Sequence, residues 1–411
     1  MTFIIQKLIV GLLLILPLSL VSGPFLSDLS VILISIFLLI ILFIKKKLSY
    51  LYKNIFFIFF LIWCLHLLIS SFYSDYIRLS LESSLFYIRF GIFAVAIMYV
   101  FEFENELENK LSISIMITFS LIIIDAIFSF FYGFNSLGFE YENNRLSGFF
   151  GDEWVLGSYL IRLMPLILLI NFKSKNYKTN FFIVILFLFI DITIALSGER
   201  SAFFLNIIVN LLLILLIPKF KKILIIKNFI SIILLLLVFI SFPEKRERLL
   251  DYTIEQMNLY GESKYIFSEQ HHKHYLTGFK MFVNKPLIGH GPKTFRTVCN
   301  DDAYINLNGC STHPHHTYIQ LLSEAGLIGV IPIFIIFLTI SYIFAKQLIL
   351  FFVKGQYTYK SNFIIILICI YVTLFPITST GNFFNNWLSV IYYLPVGIFL
   401  FYFKNNNYVY K

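Results

Sequence analysis

The sequence predicts an all-α polytopic membrane protein with about twelve transmembrane helices and one large periplasmic loop. Of the 411 residues, 59% are hydrophobic and only 13% are charged, whereas soluble domains carry about 25% charged residues. Apolar runs of about 18 or more residues recur along the whole chain, and each is long enough to cross the ~30 Å hydrocarbon core of a bilayer. The loops between these runs alternate between lysine-rich and nearly lysine-free, as topology requires.

The predicted spans follow the apolar runs in order, with a polar or turn-forming segment between each pair. They lie near residues 4–21, 27–44, 54–72, 81–101, 111–131, 154–171, 180–196, 202–217, 223–241, 317–345, 361–378 and 386–403. The first nine helices therefore fall in residues 1–241, the large loop in residues 242–316, and the last three helices in residues 317–411. We predict one membrane domain with one periplasmic insertion that carries the candidate site residues.

The charge of the loops predicts their orientation. "IKKKLSYLYKN" and "PKFKKILIIKN" belong to the lysine-rich set, and "LSGERS" and "TSTGNFFNNW" belong to the other set. Because basic loops remain cytoplasmic, we predict cytoplasmic termini and an outer side that carries residues 132–154 and 242–316. The net charge of +9 then reflects topology and contact with membrane lipid, and no nucleic acid is expected as a partner.

The large loop holds seven of the eight histidines of the chain. His313, His315 and His316 stand immediately before an apolar span, and Pro314 prevents them from sharing one helix face. They could be polar interfacial residues, satisfied loop contacts or metal ligands, although zinc would need a further ligand such as a nearby acidic or cysteine side chain. In the catalytic interpretation, one imidazole takes a proton from an acceptor hydroxyl, which suits a group whose pKa lies near the ambient pH.

Cysteine and glycine residues of the same loop are expected to shape its backbone. Cys299 and Cys310 lie shortly before the histidines, where they either form a disulfide that restrains the loop or remain two free thiols. Gly289 and Gly291 form a G-x-G pattern, which is typical of a tight turn. These residues therefore have structural roles in our prediction.

Small and charged residues also occur inside the predicted spans. Gly326 and Gly329 allow close approach of a neighbouring helix. Glu324 is expected to orient the histidine region by hydrogen bonding, with packing beside the two glycines as the alternative. Arg89 and Arg162 fall within spans, where charge is costly and usually faces a cavity or a partner. We predict that Arg162 lines a cavity.

Several cationic residues lie where an anionic group at the outer membrane surface would meet them. Arg200 begins a span, Arg145 lies in the loop 132–154, and Arg296 shares the histidine loop. The planar guanidinium suits phosphate better than an ammonium does. An interfacial anchor is the alternative for Arg200, and ordering of its own loop is the alternative for Arg145. His274 lies in a basic cluster that a solvated face would explain equally well.

The motifs around these residues resemble those of the O-antigen ligase and polymerase superfamily. That family shows a histidine with a small polar residue, nine residues, and then Gly-x-x-Gly; here His315 and His316 precede nine residues and Gly326. "HPHH" stands where "HPHN" is usual, so His316 takes the position of the asparagine. "NKPLIGHGPKTF" is similar to the family's Pro-x-x-Gly-x-Gly element, and "SGER" to its Ser-x-x-Arg before a span. "NRLSGFFGDE" resembles its Arg-x-x-Gly loop without the Pro-Asn that commonly follows.

The resemblance implies an integral-membrane glycosyltransferase fold of the GT-C-like kind. It implies transfer of a glycan from undecaprenyl diphosphate at the periplasmic side of the bacterial inner membrane, with no metal or other cofactor. The ligase branch transfers to lipid A–core and the polymerase branch to another carrier-linked repeat; the large late loop and the histidine motif favour the ligase. A lipid-glycan transporter is a remote alternative. Transporters often show inverted repeats and ionisable residues at the midplane, whereas this sequence shows no repeat and its histidines concentrate in one outer loop.

The resemblance also assigns roles to residues. His315 is the expected catalytic base of a one-step, inverting displacement, and Arg200 with a second cation stabilises the departing diphosphate. The further diphosphate- or substrate-binding candidates are Arg145, Arg296, His313, His316, His274 and Glu324. The structural candidates are Cys299, Cys310, Gly289, Gly291, Gly326 and Gly329.

Overall fold

The computed structural model describes residues 1–141, 145–170, 177–256, 268–304, 308–406 and 408–409. In these ranges the chain is helical, and no β-strand is formed. The α-helices, in chain order, are α1 (Thr2–Val21), α2 (Pro24–Ile44), α3 (Ser49–Tyr52), α4 (Ile55–Phe72), α5 (Ile77–Ser84), α6 (Ile88–Phe103), α7 (Leu107–Tyr132), α8 (Leu156–Leu163), α9 (Tyr177–Leu196), α10 (Arg200–Leu216), α11 (Lys221–Ser241), α12 (Pro243–Arg246), α13 (Tyr252–Gln256), α14 (Glu269–Asn284), α15 (Phe295–Val298), α16 (Thr317–Lys354), α17 (Ser361–Thr373) and α18 (Asn386–Lys404).

Eight helical segments of the described ranges are long and apolar enough to cross a membrane, as a polytopic membrane protein requires. The other four predicted spans correspond to shorter apolar helices at Leu156–Leu169, Asn180–Leu196, Arg200–Leu216 and Ser361–Thr373. All-helical architecture with many apolar helices thus agrees with the predicted fold class. The count of twelve spans and the GT-C-like fold remain predictions.

Two predicted spans differ from the helices because of proline. In the span near 154–171, Pro165 has no amide hydrogen to donate, and residues Met164–Leu169 form a 3₁₀ helix after α8. The span near 361–378 stops being helical at Thr373. Pro376 disfavours helical geometry in the residue before it, so the chain leaves the helix early and forms an irregular segment of residues 374–385.

The centre of the bundle is the contact between α6 and α18. The span-length segments that contain them have 72% of their most apolar windows buried, against 17% for the segment that contains α11 and 28% for α16. Gly397 permits this contact, because a Cβ there would lie 2.7 Å from the Ala94 carbonyl oxygen. The outward faces of α11 and α16 are therefore the ones most available to lipid.

Charged groups inside or at the ends of the bundle have partners. Arg89 Nε donates to Asp28 Oδ1 at 3.0 Å and joins the first turns of α2 and α6. Lys227 Nζ lies 2.6 Å from Asp191 Oδ2, and both side chains are almost fully buried between α11 and α9. The buried Arg162 guanidinium donates to the carbonyl four residues earlier at 3.0 Å. The first two pairs thus tie neighbouring helices together, and the second does so without solvent.

Lysines at the ends of α1, α7 and α18 lie on the side of the bundle away from His315. Lys7 and Lys110 contact Glu104 at 2.6 and 2.5 Å, and Lys404 contacts Glu102 at 2.7 Å. These ends of α1, α6, α7 and α18 lie opposite the ends that carry the candidate site. The separation matches the alternation of basic and lysine-poor loops in the sequence.

Candidate active site

The histidine loop, defined here as residues 308–316, rests on the irregular segment 374–385. The Thr380 N–H donates to the His315 carbonyl at 3.0 Å, and His313 Nε2 donates to the Thr380 carbonyl at 3.2 Å. The hydroxyls of Thr317 and Thr380 lie 3.0 Å apart. Three contacts to one threonine therefore set the position of the loop and of the helix that follows it.

His315 is the accessible imidazole of this loop, because it is half-buried whereas His313 and His316 are buried. Its backbone has the left-handed φ of 55°, a conformation that costs a non-glycine residue about 1–3 kcal/mol and persists only where surrounding contacts impose it. Ser311 Oγ lies 3.2 Å from His315 Nε2. Burial lowers the pKa of His315 from its ordinary value, so the ring is neutral near pH 7 and can accept a proton.

Three other imidazoles surround His315, and we call the four residues the histidine cluster. Helix α14 brings the rings of His271 and His274 to 5.5 and 5.4 Å from that of His315, and the His313 ring lies at 4.1 Å, between ring centres. Burial, together with neighbouring positive charge, lowers the pKa of His271 and His274 to about 4 and that of His313 to about 3. In the described part of the chain, both ring nitrogens of the buried His274 lack a hydrogen-bond partner. The cluster is thus an uncharged polar site at neutral pH.

His316 caps helix α16. Its Nδ1 accepts the Ile319 N–H at 3.3 Å, and its Nε2–H donates to the Pro376 carbonyl at 2.8 Å. The two contacts select the neutral tautomer with the proton on Nε2, and burial lowers the pKa of the ring. An asparagine at this position would cap the helix with its carbonyl oxygen. The change from "HPHN" to "HPHH" therefore keeps a helix cap.

Gly289 and Gly326 allow two backbone segments to cross in direct contact. Both have positive φ, and an added Cβ would lie 2.4 Å from the Glu324 carbonyl carbon at Gly289 and 2.3 Å from the Leu287 carbonyl oxygen at Gly326. Across the crossing, the Gly291 N–H donates to the Glu324 carbonyl at 2.8 Å. The G-x-G turn and the kink in α16 at Gly326 are therefore one feature, which joins the large loop to the last motif.

The start of the histidine loop and the kinked helix are each fixed by a further contact. Cys299 and Cys310 form a disulfide with their Cα atoms 5.3 Å apart, which links α15 to the loop. Beyond the kink, the Trp63 indole N–H donates to the Gly329 carbonyl at 3.0 Å. A Cβ at Gly329 would lie 2.3 Å from the Ala325 Cβ, so glycine leaves the room that this packing needs.

Glu324 is fully buried beneath the loop. Its Oε1 accepts the Phe295 N–H at 2.9 Å, and its Oε2 accepts Gln320 Nε2 at 2.9 Å. Gln320 Nε2 also donates to Asn382 Oδ1 at 2.9 Å, in the segment that supports the histidines. Glu324 thus connects α15 to the segment 374–385 by hydrogen bonds, as expected of a residue that orients the histidine region. Its grouping with the substrate-binding candidates stays a prediction.

Three half-buried arginines, Arg145, Arg200 and Arg248, form what we call the arginine cluster. Burial, followed by the charges of Arg248 and Arg200, lowers the pKa of Arg145 to about 10, as closely placed guanidinium groups require. The Arg145 guanidinium lies 4.4 Å from the centre of the Trp154 ring. Arg200 Nη1 donates to Gln256 Oε1 at 2.6 Å. The three side chains come from three separate segments and meet at one place.

The turn between α9 and α10 organises the arginine cluster. Gly198 has a φ of 68° and turns the chain sharply. Its carbonyl accepts Arg248 Nε at 3.0 Å, and the neighbouring Ser197 carbonyl accepts the Leu146 N–H at 3.3 Å. The "SGER" turn therefore holds both Arg248 and the loop that carries Arg145 by its backbone carbonyls.

Glu199 is the buried carboxyl group of this region. It accepts the N–H groups of Gly157 and Ser158 at 2.6 and 3.1 Å, at the first turn of α8, where the helix dipole favours negative charge. Burial raises the pKa of Glu199 to about 7. The arginines whose charges act on Glu199 are Arg145 and the buried Arg162. One carboxyl group with a raised pKa does not balance the guanidinium groups of this region, so the region keeps net positive charge.

The arginine cluster adjoins the histidine cluster. Ser201 Oγ, one residue after Arg200, lies 2.5 Å from Ser379 Oγ, one residue before Thr380. The charge of Arg200 also contributes to the low pKa of His271. Of the predicted residues, Arg200 is therefore close to His271 of the histidine cluster, and Arg145 lies beside Arg200 in the arginine cluster. Arg296 lies elsewhere in the site, in α15, where its charge acts on His313.

Two parts of the site were not identified from sequence. Arg248 lies in "PEKRERLLD", where a run of alternating charge looks like an ordinary solvated surface. The segment 374–385 reads as a short outer loop, although the Ser, Thr, Gly and Asn of "TSTGNFFNN" are residues that bond readily to neighbouring backbone. Arg248 contacts Gly198, and the segment 374–385 contacts the histidine loop. Both contacts join residues far apart in the chain, so no local sequence pattern indicates them.

A metal site gains no geometric support. Across the described ranges, no group of three or more His, Cys, Asp or Glu side chains is placed to hold a metal ion. The buried ring nitrogens of His313 and His316 already bond to carbonyl groups. The metal interpretation of the three histidines therefore has no ligand set among these residues.

Part of the chain is similar to a known protein family. A family model described as O-Antigen ligase matches residues 182–334, from α9 to the middle of α16. The resemblance to the O-antigen ligase and polymerase superfamily is confirmed. The matched region contains the "SGER" turn, Arg248, α14 and the histidine loop, and it supports a ligase- or polymerase-like glycan transferase with lipid-linked glycan substrates. No curated protein matches the chain.

Proposed function

We propose that this protein is an O-antigen ligase-like glycosyltransferase that moves a glycan from undecaprenyl diphosphate to a sugar hydroxyl of lipid A–core. The observation that carries the proposal is the junction of the accessible His315 with the arginine cluster. Transfer from a lipid diphosphate needs a base for the acceptor hydroxyl and cations for the leaving group. The Ser201–Ser379 contact holds these two sets of groups side by side.

The arginine cluster is suited to the diphosphate. Charge grows on the leaving group as the bond between the anomeric carbon and the diphosphate oxygen breaks, and preorganised donors stabilise that charge most. Guanidinium groups bind phosphate oxygens through paired N–H donors. Arg145 Nε is buried without a hydrogen-bond partner in the described ranges, so it can serve a bound anion.

His315 is suited to the acceptor hydroxyl. In the tautomer in which His315 Nε2–H donates a hydrogen bond to Ser311 Oγ, Nδ1 is the free base. The lowered pKa of the ring keeps Nδ1 unprotonated. The acceptor oxygen attacks the anomeric carbon while its proton passes to Nδ1 and the diphosphate departs. One displacement inverts the configuration at that carbon. The guanidinium groups supply the cationic charge, so the proposed step uses no metal ion.

The basic residues of the opposite side support a periplasmic site in the bacterial inner membrane. Lysines collect at the ends of α1, α7 and α18 that lie away from His315, and lysine-rich loops remain cytoplasmic. A periplasmic site would also permit the Cys299–Cys310 disulfide, because that compartment is oxidising. O-antigen polymerase is the second candidate, because the matched family supports both kinds of transfer.

Deletion of the gene and analysis of lipopolysaccharide on gels test the proposal and separate the two branches. A ligase predicts uncapped core with long carrier-linked polymer, whereas a polymerase predicts core with a single repeat. The plasmid-borne wild-type gene and Arg78→Ala, at a side chain that is 97% exposed, should both restore capping, and His315→Ala should not. Capped lipopolysaccharide in the His315→Ala strain would contradict the proposal.

A further inference from the structure

Residues 291–298 carry two cations outside the arginine cluster. Lys293 is half-buried, and Arg296 is exposed in α15. Lys293 has a left-handed φ of 62°, which glycine adopts freely and which costs lysine free energy. In the described part of the chain, neither cationic group has a hydrogen-bond or ion-pair partner. A strained, unpaired lysine beside an unpaired arginine requires an explanation.

The backbone that carries the two cations is held from below. Glu324 Oε1 accepts the N–H of Phe295, which lies between them, at 2.9 Å. The Thr294 hydroxyl donates to the Gly291 carbonyl at 2.7 Å. The same glutamate connects through Gln320 to the segment under the histidine loop. The two cations therefore project from a preorganised turn that is part of the active-site framework.

The electrostatics of this turn favour an anion. Burial lowers the pKa of Lys293, and the charge of Arg296 lowers it further. The nearby Arg89 is already paired with Asp28 at 2.9 Å, and the Glu324 carboxylate is occupied by backbone and amide donors. The carboxylates that act on Lys293, those of Glu324 and Asp28, are thus already bonded to other donors, and a bound anion would relieve the repulsion between the two cations.

The position of the turn distinguishes it from the proposed diphosphate site. The arginine cluster meets the histidine cluster through Arg200 and His271, whereas Arg296 acts on His313. The two groups of cations therefore approach His315 through different neighbours. The donor and the acceptor must be bound at the same time on different sides of His315. The arginine cluster is the proposed site of the donor diphosphate, so the turn with Lys293 and Arg296 is left for the acceptor.

We infer that Lys293 and Arg296 form a second anion site, which binds a phosphate or carboxylate group of the acceptor glycan. The inference rests on the proposed function and adds to it that the acceptor is recognised by its negative charge as well as by its hydroxyl. Membrane phospholipid carries the same chemistry in its headgroups. The experiment must therefore separate an anion on the acceptor from an anion in the bilayer.

Direct acceptor binding tests the inference independently of transfer. The purified protein in phosphatidylcholine nanodiscs is titrated with fluorescent lipid A–core, with the same acceptor after removal of its phosphates, and with the acceptor after reduction of its carboxyl groups. We expect Arg296→Gln and Lys293→Gly each to weaken binding of the native acceptor about tenfold, as loss of a charge-assisted hydrogen bond would. Lys280→Gln, at an exposed lysine of α14, should bind like the wild type.

Lys293→Gly separates charge from folding. Glycine suits the left-handed φ of 62°, so this variant should unfold at the same temperature as the wild type or a higher one while it binds the acceptor more weakly. The wild type should prefer the acceptor with its anionic groups intact, and both variants should lose that preference. Transfer by the same proteins should show a raised KM for the acceptor and an unchanged KM for the donor.

Two results would overturn the inference. Wild-type affinity in both Lys293→Gly and Arg296→Gln would show that these cations do not meet the acceptor. The turn would bind lipid headgroups instead if the variants bound every acceptor form more weakly and if phosphatidylglycerol in the nanodisc abolished this difference from the wild type. A wild type that binds lipid A–core in the expected way but transfers nothing from the carrier would count against the proposed function alone.

Discussion

Replacing His316 with alanine removes two hydrogen bonds from a buried side chain at the start of α16. The first is the cap, in which Nδ1 accepts the Ile319 N–H at 3.3 Å, and loss of a cap costs about 1 kcal/mol. The second is the bond from Nε2 to the Pro376 carbonyl at 2.8 Å, and an unpaired buried carbonyl costs about 1 kcal/mol or more. We therefore expect His316→Ala to lower the free energy of unfolding by about 2 kcal/mol.

His316→Asn is the matched control. Its side-chain oxygen can cap the helix, but the shorter side chain cannot also reach Pro376, so the expected loss is about 1 kcal/mol. Thermal unfolding of the purified protein in detergent, followed by tryptophan fluorescence, should place His316→Asn between the wild type and His316→Ala. Transfer activity should follow the same order, because the cap positions the adjacent His315.

Two results would refute this reasoning. Equal destabilisation by asparagine and alanine would mean that the cap contributes nothing and that packing of the ring explains the loss. Wild-type stability with abolished transfer in His316→Asn would mean that the second imidazole takes part in the chemistry. Either outcome would separate His316 from the role that the structure gives it.

Three further predictions concern pH, a buried ion pair and the backbone crossing. Because burial lowers the pKa of His315, transfer should continue below pH 6.5 and decline only at lower pH; a half-loss at the ordinary histidine pKa would contradict the burial. The histidines of the cluster bind protons at a higher pH in the unfolded state than in the folded state, so the free energy of unfolding should be fully present above about pH 6.5 and should fall as the pH drops towards about 4. Unfolding temperatures measured across that range will show this. Asp191→Asn removes the carboxylate that pairs with Lys227 and leaves the buried ammonium with the neutral Asn210 Oδ1 at 2.7 Å, so it should cost about 3–5 kcal/mol, and Asp191→Asn with Lys227→Met should recover part of it; an additive double mutant in thermal unfolding would exclude coupling. Gly326→Ala should destabilise the protein strongly, since its Cβ would lie 2.3 Å from a backbone carbonyl, whereas Gly11→Ala has no atom within 4 Å and should be tolerated; equal unfolding temperatures would contradict the crossing.

Hydropathy predicted the helices well because membrane spans are defined by a local property of the sequence. Two predicted spans differ from the observed helices because of proline, whose effect on the backbone a hydropathy pattern does not include. Pro165 changes the helix type after α8, and Pro376 ends α17 before its apolar run is finished. The resulting segment 374–385 supports the histidine loop. A pattern of hydrophobicity cannot show that an irregular segment folds beneath another loop.

The motifs located the candidate base and two of the three clustered arginines. They could not supply Arg248, because its place in the cluster depends on a bond to the Gly198 carbonyl, fifty residues earlier in the chain. The role of Glu324 was predicted as hydrogen bonding in the histidine region, and the structure adds its partners, Phe295 and Gln320. Side-chain partners of this kind depend on packing in three dimensions, which single motifs do not encode.

Transfer by purified His315→Ala protein tests the central mechanism most directly. Wild-type and variant proteins in vesicles receive saturating carrier-linked glycan and lipid A–core, and single-turnover product formation is measured beside donor binding. We predict wild-type donor affinity in the variant, because the arginine cluster is intact, with transfer lowered at least about a hundredfold, as loss of a general base allows. A variant that forms product at the wild-type rate would show that His315 does not take the acceptor proton.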